Sequence, residues 1–161
     1  MASPERPPRG VILGAGFAGL AAARELCGKG VDVTIVDRQN HHVFQPLLYQ
    51  VATAGLSPAD IAAPIRSIVK KHERTHVRLG EVVAVNSHAR LVELAEGDFL
   101  PYDYLIVATG ARHGYFGREE WAEHAPGLKT IDDATLLRRK ILLALEHAET
   151  LPPGPARDRQ L

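Results

Sequence analysis

The first hydrophobic cluster of the chain is an unbroken apolar run, Val11-Ile12-Leu13, followed by an alanine-rich stretch that begins near Phe17. A second run, Val31-Asp32-Val33-Thr34-Ile35-Val36, follows Gly28 and Gly30. Short apolar runs bounded by turn residues read as buried strands, and the alanine-rich stretch between them as a helix that stops near Gly28 or Gly30. Strand, helix and strand in this order predict the start of an α/β fold with a central parallel sheet. The segment from Gln39 to Ser57 has little periodicity. Ile61, Ile65, Ile68 and Val69 then recur at helical spacing and predict a helix from about Pro58 to Lys71.

Farther along, Val77–Leu79, Glu81–Val85, Leu91–Leu94 and Phe99-Leu100 are strand-like runs broken by Gly80, Asn86-Ser87 and Glu96-Gly97-Asp98. They predict a small antiparallel β-meander inserted in the crossover. Tyr104-Leu-Ile-Val-Ala108 returns as a buried strand. A last helix is predicted from Asp132, read as its N-cap, to about Glu149, with Leu136, Leu137, Ile141, Leu145 and Ala148 on one apolar stripe. Pro152-Pro153-Gly154-Pro155 ends it. Residues 1–8 thus read as a flexible tail, 9–150 as the α/β domain and 151–161 as a linker.

The chemistry concentrates at the first strand–helix junction, Gly14-Ala15-Gly16-Phe17-Ala18-Gly19, and at Asp37, which closes the second strand. Each glycine has a separate reason to be there. Gly14 permits a tight turn out of the strand, Gly16 lets a pyrophosphate approach the backbone, and Gly19 lets helix and sheet pack closely. The helix N-terminus offers backbone N–H groups and a positive dipole end to the phosphates. Asp37 can accept hydrogen bonds from a ribose and would repel a 2'-phosphate, which disfavours NADP. These residues predict a site for the ADP half of a dinucleotide. A stand-alone ADP- or dinucleotide-binding module without catalysis satisfies the same pattern. Ala108-Thr109-Gly110 places small residues at the carboxyl edge of a parallel sheet, where ligands lie in such folds.

Composition removes several other classes. The 161 residues are 45% hydrophobic, ample for one core, and 19 basic side chains balance 19 acidic ones, so no electrostatic footprint for nucleic acid is present. A single cysteine, Cys27, excludes an internal disulfide framework and reads as a small core residue of the first helix. No stretch has the character of a leader or of a membrane span, which predicts a cytoplasmic protein. His72-Glu73-Arg74-Thr75-His76 matches the HExxH zinc pattern, but it straddles a predicted helix end and strand, so its two histidines should not share a helical face. No metal site is expected. His41-His42 follow the Asp37-Arg38 strand end, where a place near the adenosine is one reading and surface loop histidines the preferred one; Arg138-Arg139-Lys140 read as a solvated helix face, and Tyr115 and Trp121 as covers over part of the core. A short-chain dehydrogenase would need a Tyr-x-x-x-Lys pair, and no tyrosine here has a lysine four positions on.

Gly14-Ala-Gly-Phe-Ala-Gly19, Asp37-Arg38, the block Phe44-Gln-Pro-Leu-Leu-Tyr-Gln-Val-Ala-Thr-Ala-Gly-Leu-Ser57, Ala63-Pro64-Ile65-Arg66 and Tyr102-Asp-Tyr-Leu-Ile-Val-Ala-Thr-Gly110 together resemble the N-terminal part of a type II NADH:quinone oxidoreductase. The likeness runs from Arg9 to about Glu149. It implies a Rossmann-like FAD-binding domain, with the pyrophosphate on Gly14–Gly19, the ribose on Asp37, the adenosine side near Arg38 and the adenine against the backbone near Val82. Ala108, Thr109 and Gly110 would face the inner part of the cofactor, and Gln45–Leu56 would lie near the isoalloxazine. The implied reaction passes a hydride from NADH to FAD and two electrons on to a quinone. Such respiratory-chain enzymes associate peripherally with the membrane at its cytoplasmic face, and a homodimer is compatible with them. The disulfide-reducing and sulfide-oxidising relatives use cysteines that this chain lacks. No second GxGxxG for NADH occurs in the sequence, so the expectation is a partial form with the linker leading toward a missing NADH-binding domain and without full activity alone.

Overall fold

The computed structural model describes residues 6–160. Of the tail expected over residues 1–8, residues 1–5 lie outside the described residues. The described residues form two compact units, 6–42 with 63–111 and 43–62 with 112–160.

The first unit is built on a four-stranded parallel sheet. Its strands are β1 (Arg9–Leu13), β2 (Asp32–Asp37), β5 (Thr75–Leu79) and β9 (Tyr104–Val107), in the order β5-β2-β1-β9. In register, Ile12 lies opposite Ile35 on β2 and Ile106 on β9. Helix α1 (Phe17–Leu26) follows β1 and ends before Gly28 and Gly30, both at φ +74°. Between β2 and β5 come β3 (His41–Val43), α2 (Leu48–Ala52), α3 (Pro58–Ile61), β4 (Ala62–Pro64) and α4 (Ile65–Ile68), with β3 and β4 paired in a two-stranded ladder. The antiparallel strands β6 (Val82–Asn86), β7 (Leu91–Leu94) and β8 (Phe99–Pro101) form the expected meander.

The period-two alternation of the strands explains the unbroken apolar runs. Ile12, Val33 and Ile35 point to one face and pack with Leu20 and Ala23 of α1 and with Ile65 and Val69. Val11, Leu13 and Val36 point to the other face and pack with Val92 and Leu94 of β7 and with Tyr102. Both faces of the sheet are covered at its centre, so every position of β1 after Arg9 is buried, whereas β9, expected to be buried, is an edge strand with Tyr104 and Val107 exposed.

Three expectations need correction here. Val77–Leu79 is part of β5, which pairs parallel with β2 from Val33↔Thr75 to Asp37↔Leu79, and so belongs to the main sheet rather than the meander. The helix expected over Pro58–Lys71 is interrupted, because the residue before a proline disfavours the helical region and Pro64 has no N–H to donate. Ala62, the C-cap of α3, is extended at φ −114° and ψ 135°, and β4 stands where the helix should have continued. Its apolar positions serve different cores, Ile61 in the second unit and Ile65 and Val69 in the first. Cys27 is not within α1 but is its half-buried C-cap.

The chain entering β1 is tied to the start of β9. Arg6 makes two hydrogen bonds to the Asp103 carboxylate, at 2.7 and 3.0 Å, and the Arg9 backbone N–H donates to the same group at 2.7 Å. The Arg6 guanidinium and the Arg9 N–H hold the Asp103 carboxyl well below the usual carboxylate range. A folded-state value below the unfolded one, about 3.9 for aspartate, stabilises the fold above that pH and is lost as pH falls through the folded value. Urea midpoints of wild type and Asp103→Asn should therefore differ by a constant amount above about pH 5 and converge as the medium is acidified below about pH 4. A gap that persists unchanged at pH 3 contradicts this role.

In the second unit, Leu48, Val51 and Ala52 of α2 pack with Ile61 and with Ala134 of α5 (Ile131–Glu149). A capping box sets the start of α5. Thr130 is the N-cap in place of Asp132: its Oγ1 accepts from Asp133 N at 3.1 Å, and Asp133 Oδ2 accepts from Thr130 N at 2.9 Å. The stripe is helical as expected, yet only Ala134 and Ala148 are buried; Leu136, Ile141 and Leu145 are exposed and Leu137 is half-buried. Arg138 is not purely solvated, since its guanidinium donates to Leu56 O at 3.3 Å. Trp121 is exposed under Arg118 and does not roof a core, whereas Tyr115 is half-buried and donates its hydroxyl hydrogen to Ala125 O at 2.6 Å. Beyond α5 lies a short helix, α6 (Pro155–Asp158).

Candidate functional site at the carboxyl edge of the sheet

The three glycines of the β1–α1 junction meet three different surroundings. Gly14 turns the chain at φ +99°, donates its N–H to Val36 O at 2.7 Å, and lies so close to the β9 exit that a Cβ there would overlap the Ala108 carbonyl. At Gly19 a Cβ would overlap the Gly14 carbonyl and sit 3.4 Å from Ile12 Cγ2. Gly16 is the contrast. A Cβ there meets nothing within 4 Å, and Gly16 itself is exposed. Packing of the protein explains Gly14 and Gly19; Gly16 faces a space that the chain leaves open.

Gly16 is also the N-cap of α1, which has no side-chain cap and no acidic residue in its first turn. The first N–H groups of a helix have no partner within it, and a carboxylate commonly occupies that position. No acidic side chain of the first turn of α1 therefore offsets the positive end of its dipole. Phe17 and Ala18 are exposed beside it, while Ala15 is buried in the sheet–helix core.

Asp37 gathers the loops at this edge. Its Oδ2 accepts from Ala15 N at 2.6 Å, its Oδ1 from Gln39 N at 2.8 Å, and its backbone carbonyl from Gly80 N at 2.9 Å. Each carboxylate oxygen keeps a further lone pair for an outside donor. Arg38 is exposed next to it. Val82 begins β6 two residues past Gly80, half-buried and paired with Leu94 ahead of a register shift at Ala84. Ala108 N donates to Leu13 O at 2.8 Å, and Thr109 and Gly110 follow as exposed residues, Gly110 at φ +71°. Backbone hydrogen bonds and the close approach of Gly14 thus bring the ends of β1, β2, β5 and β9 to one edge of the sheet.

Sequence reasoning missed His42. It is not on a surface loop but half-buried on β3, with Nδ1 at 3.0 Å from Ala15 O and its ring edge-to-face with Phe17 at 5.1 Å. No local signal marks it, because its partner is 27 residues away and meets it only after the chain turns back beyond β2. His72 and His76 do not share a helix, since His76 stands exposed on β5.

The sequence profile of the pyridine nucleotide-disulphide oxidoreductase family matches residues 8–147. The type II NADH:quinone oxidoreductase NdhA of Mycobacterium tuberculosis is 48% identical over 156 residues, which cover 95% of this chain and 33% of that protein. Ndh of the same organism is 48% identical over 151 residues, covering 92% of this chain and 33% of its own length. The solved structure of NDH2 from Plasmodium falciparum in complex with NADH superposes with a TM-score of 0.81 at 31% identity, over 91% of this chain and 31% of that one. This chain therefore spans about a third of the length of these relatives. FAD is the standard cofactor of the family. Among the described residues no helix is long and apolar enough to cross a membrane. With a parallel sheet, an open glycine loop at its carboxyl edge and a profile match over most of its length, the chain belongs to the pyridine nucleotide-disulphide oxidoreductase family, where it is similar to the type II NADH:quinone oxidoreductases.

Proposed function

We propose that this chain is the FAD-binding portion of an NADH:quinone oxidoreductase, over residues 9–150, and that it binds the ADP half of FAD at the glycine loop. The observation that carries the proposal is the open space at Gly16, between two glycines whose positions the protein itself fills. Gly14, Ala15, Gly16, Phe17, Ala18 and Gly19 form the pyrophosphate loop, and the first turn of α1, with no acidic residue, turns the positive end of its dipole to the anion. Asp37 accepts from the ribose with the lone pairs left by Ala15 and Gln39. Arg38 flanks the adenosine, the backbone near Val82 meets the adenine, and Ala108, Thr109 and Gly110 line the inner part. Bound FAD supplies hydride acceptance from NADH and electron delivery to a quinone; the chain supplies binding and orientation. NADH and quinone are substrates of the whole enzyme, at the cytoplasmic face of a membrane.

Asp37→Ala removes both the ribose acceptor and the partner of Ala15 N. It should weaken FAD and ADP binding by about 1.5 to 3 kcal/mol, the range of hydrogen bonds to charged groups. Calorimetric titration of both variants with each ligand measures it. Equal affinity in the two proteins would place the ribose elsewhere, and ADP binding without any FAD binding would favour a non-catalytic nucleotide module.

A further inference from the structure

We propose that His42 is a positioning residue of the glycine loop, fixing the direction of the Gly16 N–H toward the phosphate site. The inference rests on the nucleotide-binding reading of that loop for its function, and on geometry alone for its structure. The Ala15 carbonyl oxygen can only accept, so the ring nitrogen 3.0 Å from it carries the hydrogen: His42 Nδ1–H donates to Ala15 O. On the other side of the same residue, Ala15 N–H donates to Asp37 Oδ2 at 2.6 Å. Ala15 is gripped at both of its peptide groups.

The consequence follows from the planarity of the peptide. In a trans peptide the C=O of one residue and the N–H of the next point in opposite directions within one rigid plane. Holding the Ala15 carbonyl on His42 therefore turns the Gly16 N–H away from His42. Gly14 and Gly16 flank this residue and resist rotation of its peptides less than residues with a Cβ would. A clamp from outside the loop is what such a segment needs to keep one orientation. The His42 ring is itself held, edge-to-face against Phe17 at an interplanar angle of 87° and within the β3 strand. Asp37 is the known kind of acid at such a strand end; the histidine that completes the grip is assigned by the contact with Ala15.

The test compares His42→Ala, His42→Asn and His42→Gln in the full 161-residue chain. The Asn side-chain nitrogen occupies the place of imidazole Nδ1, two bonds beyond Cβ, whereas the Gln nitrogen lies one bond farther out. Amide hydrogen exchange of the ligand-free protein, resolved by NMR at Ala15 and Gly16, should quicken in the Ala and Gln variants and return to the wild-type rate in Asn. ADP affinity should fall about threefold to tenfold in Ala and Gln, the loss expected for one net hydrogen bond, and recover in Asn. A purely space-filling role would be met as well by Gln as by Asn. Exchange rates at Ala15 and Gly16 that are the same in all four proteins overturn the assignment. If the wild type binds neither ADP nor FAD, the nucleotide reading fails, while the exchange data still decide whether His42 holds the loop.

Discussion

Gly16→Val is expected to leave the chain folded and to remove its affinity for ADP and FAD, whereas Gly19→Val is expected to destabilise the fold itself. The two glycines lie three residues apart in one motif, and their surroundings are opposite. At Gly16, φ is −72° and a Cβ meets nothing within 4 Å, so valine costs the protein little beyond its poorer N-cap propensity. Its side chain would occupy the space in which a pyrophosphate meets the backbone. At Gly19 a Cβ would overlap the Gly14 carbonyl, a backbone atom with no rotamer by which to yield. Helix α1 would have to lift from β1, at a cost of about 3 kcal/mol, the upper part of the range for overpacked cores. Thermal unfolding by circular dichroism, paired with calorimetric titration, separates the outcomes. Undiminished ADP binding by Gly16→Val would remove the phosphate site from this loop, and a Gly19→Val protein as stable as wild type would show that helix and strand tolerate separation there.

The second large effect concerns turnover. Purified as 161 residues and supplied with FAD, the chain is expected to oxidise NADH with a soluble quinone analogue no faster than free FAD does. The chain spans about a third of the enzymes it resembles, and its sequence contains one GxGxxG, at Gly14. Bringing a nicotinamide against a flavin is a matter of placement, in which a displacement of about 1 Å can cost about a hundredfold in rate. A single nucleotide loop can hold one of the two cofactors and cannot orient the other. Turnover well above the free-FAD control would mean that these 161 residues contain both nucleotide sites.

The parts of this fold that are legible in the sequence are those where local and long-range preferences agree. Val11–Leu13 and Val33–Val36 are apolar at every position or nearly so because the sheet is covered on both faces, and the glycines around them are turn signals with few other readings. Thr75–Leu79 shows why other elements were not legible. A short strand looks the same whether it pairs parallel with β2 or antiparallel in a meander, and only the path through α4 decides. The helix expected over residues 58–71 failed at Ala63-Pro64, where a proline signal was outweighed by isoleucines whose helical spacing serves two separate cores. In α5 the stripe marked a helix correctly, but periodicity does not tell whether a face is covered, and Leu136, Ile141 and Leu145 are not. At the candidate site, the glycines and Asp37 stand out in the sequence because each answers a local requirement. His42 could not, since its role depends on a carbonyl brought to it by the turn of the whole chain.

An amide NMR titration of the isolated chain with ADP tests nucleotide binding at the glycine loop most directly. Saturable shifts confined to Gly14–Gly19, Asp37, Arg38 and the neighbourhood of Val82 are the expected result. Shifts centred elsewhere on the chain, or none at millimolar ADP, would contradict it.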